Sequence, residues 1–528
     1  MNENHFRTAL QRNEFLHSAE LVLGRDHTAA EADAFVRDAA GGAGLRVVSV
    51  TDLPGGNPAL PPEALVAEIA GHGLTPIAHL TGKDGNRALI EGRLHMLARL
   101  GVENVLALTG DAQREGFGGA GKGVHDLDSV LILRLIGALQ TGLAYRNGAR
   151  RAVTSPFDFF AGAVVNPYKV READLMMQLY KLELKVAAGA RFIITQLGFN
   201  LRKLYELKQY MVREGMGHVP VLANIHVPTA AAARRMQSGE LAGCVIADDL
   251  VRRLERENKV ERVERAAVLL AAVRDLGFAG AHLGGFGLRY ADFMAIIERA
   301  AAIGTGWRAR MDELVIPYPG EFYLFPQGGD GLSDGNGEYR LERRLPRVSL
   351  KLRVSRLAHH HIVGREALIA RLFAARLEPA AARGGEWRSG PLATLLKPSS
   401  AYRRTVLGCV DCGDCIQDHL SYAGCPVSRC HKELRNGPCG GSRPDGSCEA
   451  HPSRPCLWNL AYRNTLAAAE DPRRFATTLV PPRDWTLNGT NALLNRYAEI
   501  DNLPRRVLAR VSVEPQVEPE EATHAGHW

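Results

Sequence analysis

The sequence predicts an α/β architecture: a (β/α)8 barrel, then a linker region, then a small cysteine-rich module holding a metal or iron–sulfur centre. Two observations carry this expectation. Over the first 310 or so residues, eight short β-rich runs alternate with alanine- and leucine-rich segments of helical spacing. Near the other end, eight of the nine cysteines in the 528-residue chain fall between Cys409 and Cys456.

The β runs are, in order, HSAELVL, LRVVSVT, LTPIAHL, VENVLAL, AGAVV, ARFIITQ, VPVLANI and FAGAHLG. EADAFVRDAA follows the first, EADLMMQLYKLELKVAAG follows the fifth, and ERAAVLLAAVRDLG precedes the eighth. A doubly wound open sheet is the structural alternative, but no GxGxxG follows the first run. The barrel is expected over 1–310. A connecting region, 311–400, opens with the loop-like YPGEFYLFPQGGDGLSDGNGEYR and continues into the helical GREALIARLFAARLE. His359, His360 and His361 stand together there, and a surface or interface tract is a simpler reading of them than a metal site. The cysteine module is expected over 401–465. A C-terminal extension, 466–528, ends in VEPQVEPEEATHAGHW, acidic and apolar-poor, so a partly disordered tail is expected.

Composition bounds the function classes. The chain is 46% apolar and 23% charged, as in a soluble globular protein, and its formal charge of +7 suits an anionic substrate. No nucleic-acid-binding signature accompanies that charge. The start, MNENHFRTALQRNEF, lacks the apolar core of a secretory signal, and no apolar run is long enough to span a bilayer. A cytoplasmic protein without nucleic-acid or membrane partners is expected. Thiols there stay reduced, which favours ligand cysteines over disulfides.

Active sites of such barrels lie at the C-terminal ends of the strands. The β runs close on Glu20, Thr51, His79 with Thr81, Asp111, Asn166, Gln196, His226 and the pair Gly284–Gly285. Two acids, an amide and a histidine around one mouth suit proton transfer to a polar heterocycle.

The segments HSAELVLG, VVSVTD, PIAHLTG, NVLALTGD and KVAAGARFIITQLGFN, in this order and spacing, resemble the methylenetetrahydrofolate reductase family, a flavin-dependent (β/α)8 barrel. The resemblance covers roughly residues 10–305. It implies that Glu20 is the general acid that opens the five-membered ring of methylenetetrahydrofolate, that hydride then comes from flavin N5, and that Asp111 and Gln196 bind the pterin. It further implies flavin contacts, to FAD or FMN, at Thr51, His79, Thr81, Gly110, Asp111, Asn166 and Lys185. The chain departs from the family where Thr109 replaces an arginine, Asn166–Pro167 replaces a tyrosine–proline, and Gln178 and Lys181 replace Asp and Asn. These changes bear on the outer part of the flavin and leave its type open. No separate nicotinamide motif is present, so NAD(P)H or an electron-transfer protein remains the redox partner to be found. A homo-oligomer is expected.

GFGGAGKG, beginning at Gly116, nearly matches a phosphate-binding loop, but Gly123 stands where a Ser or Thr should hold magnesium. A glycine-rich loop over the barrel mouth is the simpler reading. Cys244, in LAGCVIA, reads as a core residue.

The remaining cysteines follow C-x2-C-x2-C-x9-C-x4-C-x8-C-x8-C-x7-C: Cys409, Cys412, Cys415, Cys425, Cys430, Cys439, Cys448 and Cys456. The opening triplet with a later Cys425–Pro426 is reminiscent of iron–sulfur ferredoxins. Zinc, held by cysteines alone or with His419, His431 or His451, is the alternative to [4Fe-4S]. Eight thiolates suffice for two sites without proving two. CVDCGDC, GCPVSRC, LRNGPCGGS, GSCE and CLWNLAY resemble the methylenetetrahydrofolate reductase C-terminal domain, which in some bacteria is a separate subunit. The two resemblances together imply an oxidoreductase acting between methylenetetrahydrofolate and methyltetrahydrofolate. The rival readings are a folate-binding or scaffolding protein with a structural metal module, and a methyltransferase barrel, for which no cobamide-type histidine signature is found.

Overall fold

The computed structural model describes residues 3–25, 29–42, 44–342, 348–358, 361, 397–498 and 500–501. His359, His360, the segment GREALIARLFAARLE and the tail VEPQVEPEEATHAGHW lie outside them.

All eight β runs form strands: β1 (Leu16–Leu21), β2 (Val47–Val50), β3 (Thr75–Thr81), β4 (Asn104–Leu108), β5 (Phe160–Val165), β6 (Phe192–Thr195), β7 (Val221–Val227) and β8 (Gly280–Gly285). Every neighbouring pair is parallel, and β8 closes on β1, with Ser18 opposite His282. The runs are largely apolar because their two faces are mostly buried, one in the barrel interior and one under helices. The helices used below are α1 (His5–Gln11), α2 (Ala29–Gly41), α3 (Glu63–Gly71), α4 (Arg87–Arg99), α5 (Ser129–Thr141), α6 (Glu172–Ala187) and α7 (Leu201–Arg213).

Helix α1 precedes β1 and plugs the N-terminal end of the barrel. Its Phe6 and Leu10 join Leu16, Ile77, Phe160 and Phe192 in one apolar cluster. Phe6 meets Phe192 and Phe160 edge-on, at 4.7 and 6.0 Å between ring centres. With this end sealed, the C-terminal ends of the strands are the open mouth.

The barrel unit continues to Leu341. The segment after 316 has the irregular backbone its Gly and Asp content predicts, yet it is tied to α7. Arg202 stacks 3.8 Å over the Tyr323 ring, Lys203 donates to the Phe322 carbonyl, and the Phe325 amide donates to Glu206.

The second unit spans 342–509. A helix at Lys397–Leu407 packs Leu407 against Leu352 and Tyr422. Trp458, His419 and Phe475 meet pairwise in T-shaped ring contacts. All nine cysteines are free thiols. Among the described residues, no helix is long and apolar enough to cross a membrane.

Candidate active site and cysteine centre

Strand alternation decides which side chains enter the barrel. Residues i and i+2 share a face, so Ser18 and Glu20 on β1 point the same way, as do His282 and Gly284 on β8. The β8–β1 closure therefore sets His282 beside Glu20. One His282 ring nitrogen, Nδ1, shares a 2.8 Å hydrogen bond with Ser18 Oγ. The other, Nε2, lies 3.4 Å from Ser49 Oγ and 3.7 Å from Glu20 Oε1. Gly284 leaves open the space between Glu20 and His226: a methyl group there would stand 3.2 Å from Glu20 Oε2 and 3.6 Å from His226 Nδ1.

Glu20 is thus ringed by His282, His79 and His226. Burial works to raise its pKa, but the close approach of His282, with His79 and His226 behind it, outweighs burial and brings it down to about 2. Burial lowers His79 to about 4, against the pull of Glu20, and lowers His226 too. The Nε2 atoms of His79 and His226 are buried and lack a hydrogen-bond partner. Donor atoms of Glu20, His79 and His282 lie within 4.8 Å of one another, a spacing that a divalent cation also tolerates.

The other strand-end residues are distributed around this cluster. Asp111 accepts from the Gly55 amide at 3.1 Å, joining the loops after β2 and β4. Asn166 donates to the Gly243 carbonyl at 2.8 Å, and Gln196 accepts from the Leu197 amide. Thr51 donates to the Leu21 carbonyl. Thr81 donates through both its amide and its hydroxyl to Asp52, which Arg93 clamps together with Glu63. Gly110 has φ of +85°, and its α-carbon faces the Lys83 side chain so closely that a Cβ would collide with it. Arg114 of the β4 loop donates to the Glu240 carbonyl, and Cys244 lies in the field of Asp111. The glycine-rich segment forms a small hairpin, Glu115–Gly116 against Gly119–Ala120, with Phe117 exposed at its tip.

Lys185 is not part of the Glu20 cluster. It lies on α6 and donates to the Val164 carbonyl of β5. Burial and the neighbouring charge of Lys181 lower its pKa to about 7. Lys181 itself meets Asp128 at 3.0 Å, both side chains 2% exposed, and Thr109 donates to Ser129. The residues that differ from the family pattern at Thr109 and Lys181 are therefore bonded within the protein.

His282 is the member of the Glu20 cluster that strand-end reading misses. It precedes the last residues of its strand by two or three positions, and only the closure of the barrel brings it to Glu20. Its signal in the sequence is a lone polar residue at the inward-facing position of FAGAHLGG.

In the second unit the cysteines lie on loops. Cys409, Cys412 and Cys415 follow the helix ending at Leu407, and the Cys425 amide returns to the Leu407 carbonyl at 3.0 Å. Cys430, Cys439, Cys448 and Cys456 line one cavity together with Lys432 and Glu449. Burial pushes the Cys412 and Cys439 thiols up to about 12. They need a bound cation, which favours thiolate, to become ligands.

A family model described as methylenetetrahydrofolate reductase matches residues 6–283, more than half the chain, and one described as methylene-tetrahydrofolate reductase C terminal matches 393–486. No curated protein matches the chain. Among solved structures, the chain is similar to an uncharacterized protein from Clostridium thermocellum that binds two copies of 5-methyl-5,6,7,8-tetrahydrofolic acid. The identity is 14% and the TM-score 0.41, over 56% of this chain and 97% of that one. It is also similar to 2,3-dimethylmalate lyase, a member of the PEP mutase/isocitrate lyase superfamily. Here identity is 13% and TM-score 0.32, over 58% and 84% of the two chains.

Proposed function

Because the chain belongs to the methylenetetrahydrofolate reductase family, we propose that it is a flavin-dependent oxidoreductase interconverting 5,10-methylenetetrahydrofolate and 5-methyltetrahydrofolate. The observation that carries the reading is a half-buried carboxylate, Glu20, held among three imidazoles at the open end of the barrel. A flavin bound there would supply hydride exchange between its N5 and the one-carbon unit. The residues fit its ring: His79 Nε2 is a buried polar atom awaiting a partner, beside the carboxylate that must exchange the proton. Thr51, Thr81, Gly110 and Asn166 would frame the cofactor from the strand ends and loops, with Lys185 reaching it from helix α6.

Glu20 handles the proton. When the methylene bridge opens toward the methyl product, N10 of the folate gains a proton as its bond to carbon breaks, and Glu20 is placed to give it. When the ring closes in the opposite direction, N10 loses that proton, and ionised Glu20 is placed to take it. The low pKa makes the carboxylate the resting form at neutral pH, which suits ring closure directly. Ring opening requires Glu20 to take up a proton as the pterin covers it and removes solvent. Asp111 and Gln196 would orient the pterin through hydrogen bonds. The cysteine module would hold iron–sulfur, with zinc as the alternative. Free thiols throughout suit a reducing, cytoplasmic setting.

A folate-binding protein with little flavin chemistry is the second reading. The buried Lys181–Asp128 pair and the Thr109–Ser129 bond favour it, because they consume groups at outer flavin positions. Incubating the purified protein with methyltetrahydrofolate and an artificial electron acceptor tests the two. Methylenetetrahydrofolate should accumulate. Tight folate binding without turnover in either direction would favour the second reading.

A further inference from the structure

Behind the end of β7 lies a cavity that the proposed chemistry does not use. Leu222 of β7 joins the apolar cluster at the closed end of the barrel. Strand alternation then turns His226 toward the interior, beside Glu20, and Ile225 toward the outer helices. Ile225 lines a cavity of about 460 Å³, partly open to solvent, between β7 and the helices Asp248–Leu254 and Lys259–Asp275. His226 borders the cavity at the strand end. The cavity therefore lies outside the barrel wall, with the end of β7 between it and Glu20.

Most of its lining is apolar. Phe199, Leu250, Leu254 and Ile316 belong to one packed cluster that forms the near walls. The helix Lys259–Asp275 supplies the wall opposite. Asn258 and Glu261 form a capping box that fixes the start of this helix. Arg262, Arg265, Ala266 and Leu269 follow at i, i+3, i+4 and i+7 spacing, on one face. Two guanidinium groups thus enter an otherwise apolar cavity one helical turn apart.

Their pairing is incomplete. Arg265 meets Glu257, yet its Nε and Nη1 are buried with no hydrogen-bond partner, and so is Nε of Arg262. The carboxylate on the cavity wall, Glu313, is already engaged: Arg310 donates to both of its oxygens, at 2.6 and 2.8 Å. Burial, and then the charge of Arg253, lower Arg265 to about 10, against the pull of Glu313. Like charges one turn apart on a helix repel. Buried donors of a charged group also cost more to leave unpaired than neutral ones. A carboxylate between the two arginines offsets both effects, because its two oxygens match the donor fork of a guanidinium. A monoanion suits the cavity better than a phosphate, since the Glu313 charge already stands on the wall. The apolar walls then call for an apolar body on that carboxylate.

We propose that this cavity is a second ligand site, separate from the Glu20 cluster, that takes a monocarboxylate with an apolar body. The carboxylate bridges Arg262 and Arg265, and the body lies against Phe199, Leu250, Leu254 and Ile316.

Hexanoate is the probe, titrated into the full chain by isothermal titration calorimetry. One saturable site per chain is expected, with a Kd of about 1 mM or below. The neutral 1-hexanol should bind at least about tenfold more weakly, as should hexanoate to Arg262→Gln, because each removes a charge-assisted hydrogen bond. Arg262→Lys should restore part of the affinity. Arg262 is the residue to change because, unlike Arg265, its removal strands no carboxylate. Leu269→Trp fills the cavity without touching a charge, and it should abolish binding while circular dichroism stays native. Saturating methyltetrahydrofolate should leave the hexanoate site in place. Absence of saturable binding, equal binding of hexanol, or full affinity in Arg262→Gln would overturn the proposal. Tighter binding of hexyl phosphate than of hexanoate would overturn the ligand class, and displacement of hexanoate by methyltetrahydrofolate would overturn the separateness of the site. Should Leu269→Trp lose its fold, Arg262→Gln decides.

Discussion

Glu20→Gln separates the proposed chemistry from the fold. The side chain is 20% exposed, and its carboxyl falls from an ordinary 4.5 to about 2 in the native barrel. That fall is worth roughly 3 kcal/mol in favour of the ionised native state. A depressed carboxyl contributes stability that is present above its unfolded value, near 4.5, and is lost as pH drops toward about 2. Between pH 5 and pH 3.5 the wild type should therefore lose about 1 kcal/mol that Glu20→Gln does not lose. Urea unfolding at a series of pH values, compared between the two proteins, reads this difference. The same variant should keep its flavin, because the ring positions are untouched, and should lose folate turnover by about 10²–10⁴-fold. Stability curves that run parallel across that pH window would refute the electrostatic picture. Normal folate turnover would refute the catalytic assignment.

Three further outcomes follow from the same geometry. His282→Leu removes the foremost group holding Glu20 down, so the Glu20 pKa should rise from about 2; carboxyl-carbon NMR with Glu20→Gln as the assignment control would contradict this if the titration stayed put. Gly284→Leu fills the gap between Glu20 and His226. Its backbone is not in the left-handed region, so circular dichroism should stay native while kcat/KM falls at least about tenfold, the effect of displaced reacting groups; unchanged kinetics would mean that the gap is not used. Lys181→Met strands Asp128 as a buried unpaired charge and should cost about 3–5 kcal/mol in urea unfolding, much of it recovered in Lys181→Met/Asp128→Asn; a loss below about 1 kcal/mol would show that the pair is solvated.

The barrel was legible because each strand is a short apolar run buried on both faces, and such runs stand out between helices of a different period. The mouth was legible in part for a related reason: a polar residue that closes an apolar run is conspicuous, and Glu20 and His79 were found that way. His282 was not, because it lies inside its run, and its meaning depends on a closure that joins residues 264 positions apart. The Lys181–Asp128 pair was hidden similarly, since it links the face of one helix to the N-cap of another. Segment 317–341 reads as a loop from its Gly and Asp content, and it is irregular. Its aromatic and acidic anchors onto α7 follow no period that a sequence could display. The cysteines stand out by number alone, but which of them come together depends on how the loops fold back, as the Cys425 amide does to Leu407.

The central claim, that the barrel exchanges hydride with folate at a bound flavin, is tested most directly by anaerobic rapid mixing. Purified protein, reconstituted with flavin if needed, is mixed with methyltetrahydrofolate while the oxidised-flavin absorbance is followed. The account predicts bleaching in wild type, with methylenetetrahydrofolate formed in equal amount, and little bleaching in Glu20→Gln. A protein that binds no flavin, or whose flavin spectrum is unchanged at saturating methyltetrahydrofolate, would contradict it.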